Sequence, residues 1–204
     1  MTRTLVSRAS NPVHYLRSAV QLLACTLSVL ALLHPRSVSA QTGSAVTQAD
    51  LEAVYLYNFG KFVTWPPEQT TTSAPFVICT LGNEEFRGAL QSVAASGTLQ
   101  GRKIVVRHLA SIAAVDGCQI LFLDHSEAPQ LSKDLNAIRE KPILTVSDDA
   151  AFLDHGGMVQ FVVQDKRVRF AVNLQPALQA RLSVSSELLK VAVFVHGRPA
   201  EEAK

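Results

Sequence analysis

The 204-residue chain is poor in the residues that most catalytic motifs need. It has three cysteines, two methionines and one tryptophan. No two cysteines form a Cys-x-x-Cys pair, which excludes the usual thiol redox motif and a zinc module built on that spacing. Gly-x-Gly-x-x-Gly is absent, and with it the phosphate cradle of a dinucleotide fold. Gly-x-Ser-x-Gly is absent, so no nucleophile elbow is present. An excess of one charge is also missing, with 19 basic and 17 acidic residues. The one long apolar run, residues 19–33, has 15 residues, short of the roughly 20 that span a bilayer.

That run belongs to the N-terminus. Arg3, Arg8 and Arg17 precede it and Val38-Ser39-Ala40 follows it, with small residues at the −3 and −1 positions of a cleavage site. The pattern predicts a secretory signal peptide over 1–40, cleaved after Ala40. A retained anchor and a lipidated Cys25 within Leu22-Leu23-Ala24-Cys25 are the alternatives. Residues 1–40 carry four arginines and no acid, so cleavage leaves 15 basic against 17 acidic residues, a formal net charge of −2. A nucleic-acid partner calls for a basic face, and none is expected. The mature chain has no segment that inserts in a membrane.

What is present is concentrated. Five of the thirteen aromatic residues lie between Val54 and Pro67, including the only tryptophan. Thr47 and Asp50 have the spacing of a capping box. Leu51, Val54, Tyr55, Asn58, Phe59 and Phe62 follow helical spacing, and Pro66 stops the helix near Trp65. This phase predicts that Tyr55, Phe59 and Phe62 pack under a sheet. It leaves Tyr57, Lys61 and Trp65 as candidates for a surface.

Residues 41–46 read as a flexible lead and 68–74 as a polar loop. Short apolar strands are expected at 76–81, 103–106, 118–123 and 143–146, with helices at 84–95 and 131–140. Non-alternating apolar strands fit a parallel sheet covered on both faces. Residues 97–101 read as a loop. A hairpin follows, with strands 158–163 and 168–172 around Gln164-Asp165-Lys166. Helices are then expected from Pro176 to Arg181 and over 186–195, the second capped by Ser185. The sum is an α/β sandwich with an antiparallel edge, one domain over 47–197, and a disordered tail at 198–204.

Cys79 and Cys118 remain after cleavage. An even pair in an exported chain favours a disulfide, and two buried free thiols are the alternative. A bridge closing a loop of about 40 residues stabilises by roughly 4 kcal/mol in the chain-entropy model.

Catalytic chemistry is hard to assemble. Asp124-His125-Ser126 has the residue types of a hydrolase triad, but sequence neighbours point apart and make no relay. His108, His125, His155 and His196 are isolated. Asp148, Asp149, Asp154 and His155 match no ligand spacing, and a solvated face is the plainer reading. Gly82-Asn83-Glu84-Glu85 opens a helix, where glutamates suit the dipole but repel phosphate. No catalytic residue, metal or cofactor is expected. Arg167, Arg169, Arg181 and Lys190 form a candidate basic cluster near the hairpin.

Several segments in order resemble the YfiR family of small periplasmic proteins. They are Tyr55-Leu56-Tyr57-Asn58-Phe59-Gly60-Lys61-Phe62-Val63-Thr64-Trp65-Pro66, Lys141-Pro142-Ile143-Leu144-Thr145-Val146-Ser147-Asp148 and Gly156-Gly157-Met158-Val159. Further on come Val168-Arg169-Phe170-Ala171-Val172-Asn173-Leu174 and the stretch from Leu182 to Ala192. The resemblance implies a Rossmann-like three-layer α/β domain without enzymatic activity. It implies repression of an inner-membrane diguanylate cyclase through that enzyme's periplasmic sensory domain, lowering cyclic di-GMP and biofilm formation. It places one family disulfide at Cys79 and Cys118, and the second pair of some members is missing. Small ligands and dimers are also associated with such chains. A periplasmic small-ligand receptor is the alternative function. The candidate partner surface is Tyr57, Lys61, Trp65, Arg167 and Arg169.

Overall fold

The computed structural model describes residues 46–197, apart from 71, 72, 83 and 96. The expected signal peptide, nearly all of the lead and the tail at 198–204 lie outside the described residues.

Helix α1 (Gln48–Phe62) begins where the capping box predicts. Asp50 N–H donates to Thr47 Oγ1 at 3.1 Å, and Thr47 N–H donates to Asp50 Oδ2 at 2.9 Å. It ends at Val63, whose backbone is extended, as β-branched residues and a coming proline favour. The face it buries differs from the predicted one. Ala53, Leu56, Phe59 and Gly60 are buried, Tyr55 is half-buried, and Phe62 is 39% exposed. Small residues allow this phase: a Cβ on Gly60 would lie 2.6 Å from Leu99 Cδ1, so a larger residue there would force the Leu99 side chain to shift.

Strands β1 (Val63–Thr64) and β2 (Phe76–Leu81) are followed by α2 (Glu84–Ala95). Between the two strands, buried Arg102 donates to the carbonyls of Gln69, Ala74 and Pro75 and so pins the polar loop. Next come β3 (Thr98–Leu99), β4 (Arg102–His108), β5 (Ile120–Leu123), α3 (Leu131–Ile138) and β6 (Leu144–Ser147). The chain closes with β7 (Val159–Gln164), β8 (Arg167–Asn173), α4 (Leu174–Gln179), β9 (Ser183–Val184), α5 (Ser186–Val191) and β10 (Phe194–His196).

Eight strands form one sheet in the order β10-β8-β7-β6-β5-β2-β4-β3. The pairs are parallel except β7–β8 and β3–β4. Asp165 and Lys166, both at positive φ, turn the β7–β8 hairpin; this mirror-image turn matches strand twist.

Strand alternation sends side chains into two cores. Ile78, Ile120 and Phe122 join α1 and α2 on one face; Cys79, Leu81, Leu121 and Leu123 join α3 and Phe152 on the other. Phe59 sits in the first core, 5.0 Å from Phe170 and 5.9 Å from Phe161 between ring centroids. The fold is thus a mixed α/β, Rossmann-like sandwich with a mostly parallel sheet, as expected.

Two elements depart from the sequence reading. The last helix stops at Val191, because Ala192 turns extended. Residues 194–196 then form β10, parallel to β8, so the antiparallel hairpin is not the edge of the sheet. The supposed loop at 97–101 contains β3, which turns back on β4 through Gln100 and Gly101, both at positive φ.

Candidate functional site

After β2 the chain crosses through α2 to β4 on one side; after β5 it crosses through α3 to β6 on the other. The C-terminal ends of β2 and β5 therefore flank a point where the strand order reverses, and open α/β sheets bind ligands in such crevices.

The register Leu123↔Ser147 aligns the ends of β5 and β6, and this brings Asp124, His125 and Asp148 together. Asp124 caps the short 3-10 turn His125–Gln130, its Oδ1 accepting Ser126 N–H at 3.0 Å. Asp148 accepts His125 N–H at 2.8 Å, and its Oδ2 lies 3.0 Å from His125 Nδ1. Asp124 Oδ2 is 3.5 Å from the same nitrogen. Gly82, at φ 101°, closes the crevice from β2; a Cβ there would lie 2.6 Å from that of Asp124.

Glu52 of α1 is buried near this group, and Gln48 donates to it at 2.8 Å. Burial raises its pKa to about 7, opposed by the Gln48 hydrogen bond and helped by the charges of Asp148 and Asp124. The hydrogen bond to Asp148, with the charge of Asp124, raises the pKa of His125.

The sequence reading placed Asp124-His125-Ser126 at the end of a strand, where it lies. It missed Asp148 as the partner of His125 and grouped it with His155 instead. His155 points elsewhere, with Nδ1 2.7 Å from Ser132 Oγ. A recoverable signal existed: Asp124 and Asp148 each directly follow an apolar strand of a parallel sheet.

The candidate partner residues divide. Tyr57 is half-buried, donates to Thr98 O at 3.3 Å and carries the Lys61 ammonium 4.3 Å above its ring. Trp65 is only 2% exposed. Its Nε1–H donates to Gln119 O at 3.1 Å and its ring meets Phe76 edge-on. The apolar body is packed and its one donor satisfied, so Trp65 belongs to the core rather than the surface. Arg167 and Arg169 are exposed on β8, next to edge strand β10, whereas Tyr57 and Lys61 lie beside β3 at the opposite edge. The basic cluster separates too: Arg181 pairs with Glu68 at 2.6 Å and Lys190 with Glu187 at 3.2 Å.

A groove of about 700 Å³ runs over the sheet beside α3, floored by Met158, Gln160, Ala171, Asn173, Phe194 and His196 and rimmed by Arg139 and His155. Cys79 and Cys118 form a disulfide in the second core. Among the described residues, no helix is long and apolar enough to cross a membrane.

Sheet order and crevice define an open-sheet α/β domain of the Rossmann-like class. Within that class, the chain belongs to the YfiR/HmsC-like family, whose sequence model matches residues 49–193. Among solved structures it is similar to a conserved domain protein from Vibrio cholerae O1 biovar El Tor. The two are 11% identical with a TM-score of 0.45 over 58% of this chain and 54% of that one. It is also similar to an ABC domain in complex with L-Trp from Streptococcus pneumonia, 11% identical with a TM-score of 0.40 over 63% and 60%. The chain therefore spans little more than half the length of these two proteins. No curated protein matches it significantly.

Proposed function

We propose that the protein is a non-catalytic periplasmic regulator. In this reading it represses an inner-membrane diguanylate cyclase by binding the enzyme's periplasmic sensory domain, which lowers cyclic di-GMP and biofilm formation. The observation that carries this is the family match across residues 49–193.

The surface beside β10 supports contact with a protein. Val193 and Phe194 are 44 and 57% exposed. Val193 shares a depression with Arg167 and Arg169, so apolar area and positive charge occur together. Exposed apolar patches rimmed by charge mark interaction sites.

The test is binding between the mature protein and the periplasmic domain of a cyclase encoded beside it, with cyclic di-GMP output as the second readout. No binding and no change in output would sink the reading. A small-ligand receptor is the second reading, favoured by the groove over β7, β8 and β10. A thermal-shift screen with nucleotides and amino acids separates the two, since a true ligand raises the melting temperature.

A further inference from the structure

Buried carboxylates normally face a cation or a full set of donors, because an uncompensated buried charge is strongly unfavourable. Among the described residues, Asp124 and Glu52, each 4% exposed, pair with no lysine or arginine. Asp124 engages Ser126 N–H through Oδ1 and Glu52 engages the Gln48 amide through Oε1. The second oxygen of each takes no hydrogen bond among the described residues. No lysine or arginine pairs with Asp124 or Asp148 there; the only cationic group in reach is the His125 imidazole.

One ligand atom from each of Asp124, His125 and Asp148 lies within 4.8 Å of the others. Asp124 is held by its turn and Asp148 by the His125 backbone. The His125 side chain is 65% exposed, so the cluster opens to solvent. We propose that this crevice binds a divalent metal ion of the zinc or manganese type, ligated by Asp124, His125 and Asp148. Imidazole with carboxylates suits such ions, whereas calcium and magnesium take oxygen ligands. Binding replaces the His125–Asp148 hydrogen bond with two bonds to the metal and releases any proton held on the ring. Three protein ligands on a solvent-facing side leave a position open for water or for a group of a partner.

The experiment uses untagged, chelator-treated mature protein, titrated calorimetrically with zinc, manganese, magnesium and calcium chlorides. Zinc or manganese is expected to bind at one equivalent and to raise the melting temperature. The signals of the His125 ring nitrogens should shift in a long-range 15N spectrum. His125→Ala and Asp148→Asn should each weaken binding by about tenfold or more, while His155→Ala leaves it unchanged. His125 is largely exposed, so its variant should fold, and circular dichroism checks this. Absence of zinc and manganese binding at millimolar concentration overturns the proposal. So does binding that survives His125→Ala, or that is lost equally in His155→Ala, which marks an adventitious ion only. These outcomes are independent of whether a cyclase binds.

Discussion

Cys79 on β2 and Cys118, just before β5, are joined in a disulfide with their Cα atoms 5.9 Å apart. The bond ties together the two strands that flank the crevice. Replacing both cysteines with serine should lower unfolding stability by about 2–4 kcal/mol, read from urea midpoints. In the oxidised wild type both thiols should resist alkylation; titratable free thiols in the folded protein would contradict the bridge.

The helical face buried by α1 can be tested by contrast. Phe59 is fully buried against Phe161 and Phe170, so Phe59→Ala should cost about 3–5 kcal/mol. Phe62 is partly exposed, and Phe62→Ala should cost well under half as much. Equal losses would mean that the helix is rotated.

Glu52 makes stability depend on pH. Its folded pKa, about 7, exceeds the ordinary glutamate value of 4.5, so the folded state holds the proton more tightly. Its stabilising contribution is complete below about 4.5 and disappears as pH rises through about 7. His125 is also raised and acts in the same direction, weakly because it is exposed. With chelator present, wild type should be less stable at pH 8 than at pH 5, and Glu52→Gln should reduce that difference. An unchanged difference would remove Glu52 as its source.

For the proposed partner, Arg169→Glu and Phe194→Asp should weaken binding without altering circular dichroism. Lys61→Glu, at the opposite edge of the sheet, should not. The reverse pattern would move the interface to α1 and β3.

Local signals made much of the fold legible. The Thr47–Asp50 box, the apolar runs of β2, β5 and β6, and the Asp165-Lys166 turn each act over a few residues. The phase of α1 was obscured because apolar residues occur on more than one of its faces, and the choice rests on Ala53 and Gly60 meeting β3 and the sheet. Strand β10 was hidden because Val191, Val193 and Val195 continue an apolar run beyond a real helix. The candidate site was half visible. Asp124 and His125 are neighbours in sequence, but Asp148 reaches them only through the β5–β6 register. Nothing local revealed that Lys61 and Arg169 lie at opposite edges.

The smallest sheet has a consequence for how the molecule forms. β1 pairs with β9 through Val63↔Val184 and Thr64↔Ser183, and Ser185 N–H donates to Phe62 O at 2.9 Å. The end of the first described helix is thus locked by the lead-in to α5. Such a distant contact must be closed late and at an entropic penalty. Folding therefore completes only when nearly the whole domain is at hand, and a chain truncated before β9 should leave α1 loosely held however good its capping box.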